Sequence, residues 1–519
     1  LNMFERPPQS APARRHLLQV LAAALCVLVP LYALDAARTL RPTRVLGPVG
    51  LPSSPPAVAQ AEATGQSVTP ATDAAAAQAP SSLPPAKRSS NEQAPATAQS
   101  TPAAAPVKSA GPAQAEKPVE TAQAAGATGT AAASAAAQPR AGSASGQALL
   151  PIEGIENLRP FYSALARTDR PGPVRVLHYG DSTLAGDGIA KTVRRRLKAE
   201  FGDGGPGFFV AGMDPRWMRR DDVRVSRSGE WDIFTILHGG NQGRYGLGGI
   251  VAKPRGNATG VQFAPARSGQ ALGQKLEIYT QKSRRSDALR LQINGAPVTA
   301  LRRIEHTSFD QWLLEHPEPI VSGNLLVQEG GLEIYGLALE TAQGVTWETT
   351  AVVGIASGSI RQFNADHLAD QTRVRQPELI VVMLGGNDAG HGGILQGDGK
   401  IYRDSYMRAV TVLRRGAPGA ACLLMSPTDQ AMLDDEGRLR SKQTMARMVE
   451  LQRQASRELG CAFWDSWQFM GGPNAFARWL QQGLAWTDLM HLTEKGLNRI
   501  GQGFADALLH GYEQHRGRQ

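Results

Sequence analysis

The folded part of this 519-residue sequence predicts an open α/β fold with an inserted β-rich stretch, and three observations carry that expectation. Two apolar, β-branched runs, Val174 to Tyr179 and Leu379 to Leu384, read as strands buried on both faces, the pattern of a parallel sheet. Each run ends in a polar, glycine-containing block, Gly180-Asp181-Ser182 and Gly385-Gly386-Asn387-Asp388. In an open parallel sheet the strand ends converge on one edge, so blocks separated by roughly 100 to 200 residues can meet there. Between the two runs, over residues 217–348, the pattern changes to short β-type runs broken by turns: Val261 to Phe263, Lys275 to Tyr279, Leu289 to Ile293 before Asn294-Gly295, and Leu332 to Leu339.

The elements follow in chain order. Arg6, Arg14 and Arg15 precede an apolar run from Leu17 to Leu34, interrupted only by Gln19 and Pro30. At 1.5 Å per residue the run spans roughly 27 Å, enough for a bilayer core and long for a signal peptide. Residues 1–40 are therefore expected to be a cytoplasmic tip and an uncleaved single-pass anchor in the inner membrane, with everything after it in the periplasm. The alternative is cleavage near Ala33 to Ala37, which would leave a soluble periplasmic protein. Residues 41–147 consist mostly of Ala, Pro, Ser, Thr, Gln and Gly. Such a stretch cannot bury enough apolar surface to offset its ordering entropy and is expected to be a disordered linker, with a root-mean-square span of roughly 50–60 Å. Residues 148–519 form the folded domain, interrupted by the insert at 217–348. Within it, Ile189 to Phe201 is amphipathic and rich in Arg. The following Gly202-Asp203-Gly204-Gly205-Pro206-Gly207 lacks the Gly-Lys-Ser/Thr of a phosphate-binding loop and reads as a plain turn.

A third polar block, Asp488-Leu489-Met490-His491, is expected to open the last helix. A serine hydroxyl is a poor nucleophile at neutral pH and needs a base to take its proton; that base in turn needs a fixed tautomer. Ser182, His491 and Asp488 supply these three parts. The oxygen that becomes negative on attack needs donors placed in advance, and Asn387, just past a strand end, is positioned to be one.

These blocks, in this order, resemble the SGNH branch of the GDSL esterase/lipase-like hydrolases. The resemblance implies a flavodoxin-like, three-layer α/β domain with Ser182 as nucleophile, His491 as base and Asp488 as its partner. It also implies an oxyanion hole built from the Ser182 N–H, a glycine N–H and the Asn387 side chain, the glycine being Gly354 in the stretch Val352 to Gly358. The run Leu332 to Glu340, followed by Gly344-Val345 and the Gly354 block, is similar to bacterial extracytoplasmic peptidoglycan O-acetylesterases, whose SGNH domain carries an inserted carbohydrate-binding-like β-sandwich. The implied activity is hydrolysis of acetyl esters on an acetylated cell-envelope polysaccharide, peptidoglycan in particular, through an acyl-Ser182 intermediate. One alternative is an O-acetyltransferase with the same triad, served by a membrane acetyl-transfer partner. The other is a non-catalytic polysaccharide-binding scaffold, against which the intact Ser182, Asn387, Asp488 and His491 count. No extended apolar lid suggests a lipase.

Asp181 and Asp388 read as turn-shaping carboxylates, and His178, inside a strand, as a packed histidine. His238, His306, His316 and His391 show no metal-ligand spacing, so neither metal nor cofactor is expected. Most aromatic residues of the insert, among them Trp217, Trp231, Tyr245, Trp312 and Tyr335, are expected in its core. The formal charge of +9, with Arg194-Arg195-Arg196 and Arg216, Arg219 and Arg220, raises nucleic-acid binding. Export sets it aside in favour of acidic envelope polymers or anionic lipid surfaces. Of the three cysteines, Cys26 falls in the apolar N-terminal run, while Cys422 and Cys461 each begin a strand-like stretch. These two are expected to be buried free thiols, because a bridge between neighbouring parallel strands demands unusual geometry.

Overall fold

The computed structural model describes residues 148–518 apart from 168, 212–217 and 391. The expected anchor and linker, with Cys26, Arg216, Trp217 and His391, lie outside the described residues. Among those described, no helix is long and apolar enough to cross a membrane.

Five strands form a parallel sheet: β1 (Val174–Gly180), β2 (Val345–Ala351), β3 (Leu379–Met383), β4 (Ala421–Met425) and β5 (Ala462–Trp464), in the order β2-β1-β3-β4-β5. This is the doubly wound arrangement in which the winding reverses between β1 and β3, so a crevice opens beyond the carboxyl ends of those two strands. The apolar runs alternate as a two-faced strand must. Val174, Val176, Leu379 and Val381 pack into one core layer, and Leu177, Tyr179, Ile380 and Val382 into the other. The first layer is closed by helices α1 (Gly188–Phe201) and α5 (Glu494–Arg516), the second by α2 (Ala365–Arg375), α3 (Lys400–Arg414) and α4 (Thr444–Glu458).

The insert is all-β, as the turn spacing predicts. Its strands are hydrogen-bonded into one curled, ten-stranded antiparallel sheet running from Gly207–Phe209 to Ile334–Glu340. The sheet closes around its own core, including Phe209, Val261, Phe263, Ile278, Leu291, Trp312, Leu325 and Leu337. Asn294-Gly295 forms the tight hairpin turn between Leu289–Ile293 and Ala296–Pro297, both residues having positive φ (52° and 83°). The inserted sheet ends at Glu340, not near 348. Val345–Ala351, with its polar run of Thr346, Glu348 and Thr350, belongs to the parallel sheet and is buried along its whole length.

The insert is not a loosely tethered module. Phe208, Tyr245, Tyr279 and Tyr335 join the same core layer as Leu177, Tyr179 and Ile380 of the parallel sheet. Beside them lies a buried ionic cluster. Arg375, at the end of α2, pairs with Glu340 of the insert and with Glu348 of β2, while Arg175 of β1 binds Glu340 at 2.6 and 2.9 Å. Glu277 of the insert accepts from Tyr279 Oη and Lys275 Nζ, each at 2.6 Å. Removing one member of such a cluster leaves uncompensated charge in low dielectric, so it fixes the registration of the two sheets.

Two expectations are corrected. Cys422 and Cys461 form a disulfide, with Cα atoms 4.7 Å apart. They stand opposite each other immediately before the first paired residues of β4 and β5, Leu423 and Ala462, and this close in-register approach makes the bridge feasible. The arginines of α1 are also not a free basic patch. Arg194 is buried and pairs with Asp187 at 2.9 Å and with Asp221 and Asp222, and Arg220 binds Asp222 at 2.9 Å.

Candidate active site

Ser182 follows β1 after one residue, Asp181, as the first residue of a one-turn helix, Ser182–Ala185. Asp181 caps that turn, its Oδ1 accepting from Thr183 N–H at 2.9 Å. The turn is tight because Gly180 has no side chain: a Cβ there would lie 2.8 Å from the Leu184 Cβ. The chain reverses in a single step, leaving the Ser182 hydroxyl half-buried at the crevice.

Asp488 and His491 reach the same point from a different element than the sequence suggests. The last helix begins at Glu494, capped by Thr493, so the Asp488 to His491 block is a loop ahead of it. Leu489 adopts φ +63°, which turns the chain back so that Asp488 can bind the residues that follow it. Asp488 Oδ1 accepts the N–H groups of Met490 and His491, at 3.0 and 2.9 Å, and Oδ2 lies 2.7 Å from His491 Nδ1. His491 Nε2 lies 2.8 Å from Ser182 Oγ. The three side chains thus form an unbroken hydrogen-bonded line, with the imidazole 38% and the carboxylate 47% exposed. Partial burial raises the Asp488 carboxyl, but the backbone N–H groups and the imidazole outweigh it and hold it below the ordinary aspartate value.

The oxyanion candidates gather on the other side of Ser182. Val352 N–H donates to the Gly180 carbonyl at 3.0 Å, which places the Val352 to Ile355 turn beside the end of β1. Gly354 has φ +86° in this turn, a conformation that favours glycine, and it is exposed. Asn387 Nδ2 donates to the Ile355 carbonyl at 2.9 Å and so ties the β3 loop to the Gly354 turn. The carboxamide carries a second N–H beside the one that this bond uses. Asp388 accepts from Ser357 N–H and, at 2.6 Å, from Ser357 Oγ, bracing the same turn from beneath. Asp181 and Asp388 are therefore shaping carboxylates, as their motif positions suggest.

His178 is fully buried and packs edge-on to Trp347, whose Nε1 donates to His178 Nδ1 at 3.2 Å. Burial pushes its pKa down to about 3, so it is a neutral packing residue. His238, His306 and His316 bond to Thr235, Gln311 and the Glu318 carbonyl respectively. Among the described residues no group of three His, Cys, Asp or Glu side chains is arranged to hold a metal. Tyr245, Trp312 and Tyr335 are core residues, whereas Trp231 is half-exposed, its Nε1 donating to the Ser228 carbonyl.

Sequence reasoning missed one positioning element. After β4 the chain runs fully buried from Ser426 to Gln430. Gln430 Nε2 donates to the Gly386 carbonyl at 2.9 Å, its Oε1 accepts from Lys442 Nζ at 2.7 Å, and the next N–H, of Ala431, donates to the Leu489 carbonyl at 2.9 Å. Two adjacent residues therefore hold both the Asn387 loop and the Asp488 to His491 loop. Asp429 anchors this strut by accepting from Trp467 Nε1, Ser441 Oγ and Phe476 N–H. A buried Asp-Gln pair just past a strand end was the available signal.

Residues 324–498 match the model of the GDSL-like Lipase/Acylhydrolase family. The matched stretch holds Gly354, Asn387, Asp488 and His491, while Ser182 falls before it, separated by the insert. The chain is similar to a solved structure described as "Peptidoglycan O-acetylesterase in action, 5 min", at 23% identity over 69% of this chain and 96% of that one, with a TM-score of 0.57. That likeness shows the fold. Smaller likenesses are to an acetyl xylan esterase, AlAXEase (15% identity, 32% of this chain, 81% of that one, TM-score 0.24), and to the salicylyl-acyltransferase SsfX3 from a tetracycline biosynthetic pathway (12% identity, 58% and 96%, TM-score 0.25). No curated protein matches the sequence. The family model matches residues 324–498, and the solved structure shows the fold, an α/β parallel sheet with an inserted β-domain.

Proposed function

From an SGNH-type esterase with this site, we propose an O-acetylesterase that acts on an acetylated cell-envelope polysaccharide, peptidoglycan in particular, through an acyl-Ser182 intermediate. The observation that carries the reading is the continuous line from Ser182 Oγ to His491 Nε2 to Asp488, at 2.8 and 2.7 Å, opening on the crevice beyond β1 and β3. Ser182 Oγ attacks the acetyl carbonyl carbon as its proton passes to His491 Nε2, while Asp488 holds the tautomer and steadies the imidazolium. The Ser182 and Gly354 N–H groups and the Asn387 carboxamide receive the negative oxygen. Collapse of the tetrahedral species breaks the bond to the sugar oxygen, which leaves with the proton from His491. Water, deprotonated by the same imidazole, then attacks the acetyl-serine, releasing acetate and restoring the hydroxyl.

The likeness to a peptidoglycan O-acetylesterase, which spans 96% of that chain, supports the substrate class. The Cys422–Cys461 bridge supports an oxidising compartment, in line with a periplasmic domain anchored through residues 1–40. The test is release of acetate from O-acetylated peptidoglycan by the full chain, with mass spectrometry of the trapped intermediate. Acetate release and an added acetyl mass on Ser182 are expected, and Ser182→Ala should lose both while keeping the wild-type circular dichroism. Acetyl transfer to an added glycan without free acetate would instead identify a transferase. An adduct elsewhere would overturn the nucleophile assignment.

A further inference from the structure

The groups that do the chemistry are polar, yet the rim around them is not. Leu237, Met432, Leu433 and Trp486 are 37%, 42%, 56% and 58% exposed. Leu237 lies at the Gly354 turn, its Cδ1 3.4 Å from where a Gly354 Cβ would stand. Met432 and Leu433 follow Ala431, whose N–H holds the Leu489 carbonyl. Trp486 stands across the catalytic loop from His491. Ala485 and Leu492 form an antiparallel bridge, and Trp486 N–H donates to the His491 carbonyl at 2.8 Å. In that register Trp486 and His491 are directly opposite, and directly opposite residues project their side chains from the same face. The indole, more than half exposed, therefore stands on the backbone partner of His491, whose own N–H turns to Asp488 Oδ1.

We propose that Trp486 is the platform of a sugar subsite: the pyranose ring that carries the acetyl ester lies against the indole face while its ester reaches Ser182. This rests on the polysaccharide reading above. A sugar ring has one face of C–H groups and an edge of hydroxyls. It fits a single exposed aromatic bordered by polar residues, here Thr487 and Asp488, and an aromatic ring gives up little conformational entropy on binding. A lipid surface fits the rim less well. The turn that follows Leu433, Asp434-Asp435-Glu436, sets three carboxylates against two arginines, Arg438 and Arg440, that pair with Asp434 and Glu436, so this edge offers no excess of positive charge to an anionic bilayer. Met432, Leu433 and Leu237 would complete the apolar floor for a neighbouring ring of the polymer.

The experiment compares acetate release from soluble O-acetylated peptidoglycan fragments and from ethyl acetate, which has an ester but no ring, by wild type and by Trp486→Ala, Trp486→Leu, Trp486→Phe and Trp486→Tyr. The Ala and Leu variants should lower the ratio of kcat/KM for glycan to kcat/KM for ethyl acetate by about tenfold, mainly through a higher KM. Phe and Tyr should restore most of it, because the flat face rather than apolar bulk is what binds. An unchanged ratio in Trp486→Ala overturns the platform. So does recovery by Leu equal to that by Phe, or loss of adsorption to vesicles of phosphatidylglycerol and phosphatidylethanolamine without a change in the ratio, which would make the rim a lipid-facing surface. If wild type hydrolyses ethyl acetate but releases nothing from the glycan, the substrate reading of Proposed function falls, and the subsite falls with it. If wild type acts on the glycan and only the ratio fails to move, the subsite alone is wrong.

Discussion

Two clusters of charged side chains in this molecule follow opposite designs. The line from Ser182 to His491 to Asp488 is open: His491 and Asp488 are 38% and 47% exposed, and the loop that carries them is held by backbone hydrogen bonds and by the Asp488 carboxylate. The cluster of Arg375, Glu340, Glu348, Glu277 and Arg175 is sealed between the parallel sheet and the insert, with Arg375 and both Glu340 and Glu348 at most 1% exposed. An open site can exchange protons and substrate, so its groups can cycle between charge states. In the sealed cluster each carboxylate faces a cation, Glu340 and Glu348 facing Arg375 and Glu277 facing Lys275, and there charge serves to fix geometry. The contrast teaches that charge in this protein does chemistry only where water and substrate reach it, and elsewhere it sets the registration of two sheets that carry the site and its insert. Variants that touch one cluster should therefore leave the other's property intact.

The largest expected effect is on the open cluster. Asp488→Asn keeps the size of the side chain but cannot hold the same tautomer of His491, so kcat should fall by about 10⁴-fold, with the denaturation midpoint almost unmoved. Because the residues act as a unit, adding Asp488→Asn to His491→Ala should cost scarcely anything further. Steady-state kinetics on a small acetyl ester decide this. Losses that multiply in the double variant would mean that the carboxylate and the imidazole work separately.

The sealed cluster should show the reverse. Arg375→Met leaves Glu340, Glu348 and Glu277 facing one another without their common cation, and should destabilise the domain by about 3–5 kcal/mol while the kcat of the remaining folded enzyme changes little. Burial alone would raise the Glu340 carboxyl, but Arg375 and Arg175 outweigh it and bring its pKa from 4.5 to about 2. A carboxylate depressed on folding contributes stability that is present above its unfolded value and lost as pH falls through the folded one. The difference between wild type and Arg375→Met in urea denaturation should therefore shrink between about pH 4.5 and about pH 2. A constant difference over that window would show that Arg375 stabilises by packing alone.

How far the sequence can be read divides along the same line. The catalytic blocks are legible because each sits at the end of a strand or in a loop whose residues serve no packing need, so the polar residues stand out from apolar surroundings. The hairpin at Asn294-Gly295 is legible for a similar reason, since two successive positive φ values demand those residues. The sealed cluster is not legible, because Arg175, Glu277, Glu340, Glu348 and Arg375 come from separate elements and acquire meaning only once the sheets are registered. The same cluster disguises β2: Thr346 and Glu348 look like solvent-facing positions, yet both are buried and Thr346 Oγ1 donates to Glu348 at 2.8 Å. The disulfide escapes a local reading because register, which sets Cys422 and Cys461 opposite each other with Cα atoms 4.7 Å apart, is not a property of either segment even when the strands are taken as neighbours. The Asp-x-x-His block reads as a helix start because nothing in its composition announces the positive φ at Leu489.

The smallest predicted effect tests the strut that joins the two active-site loops. Gln430 is buried and uses its amide N–H to hold the Gly386 carbonyl, next to Asn387, while its oxygen receives Lys442. Gln430→Glu keeps the shape and the acceptor for Lys442 but sets an oxygen against the Gly386 carbonyl, so it removes the donor specifically. If that bond positions Asn387, both Gln430→Ala and Gln430→Glu should lower kcat by about tenfold with little change in KM, because the misplaced donor meets the oxyanion only as charge develops. A purely structural role predicts a different pattern: Gln430→Glu, which gains an ion pair with Lys442, would be as stable as wild type and as active, and only Gln430→Ala would suffer. Kinetics and denaturation of the two variants side by side separate these outcomes, since an equal loss of kcat in Gln430→Ala, which adds no charge, and in Gln430→Glu traces to the displaced loop.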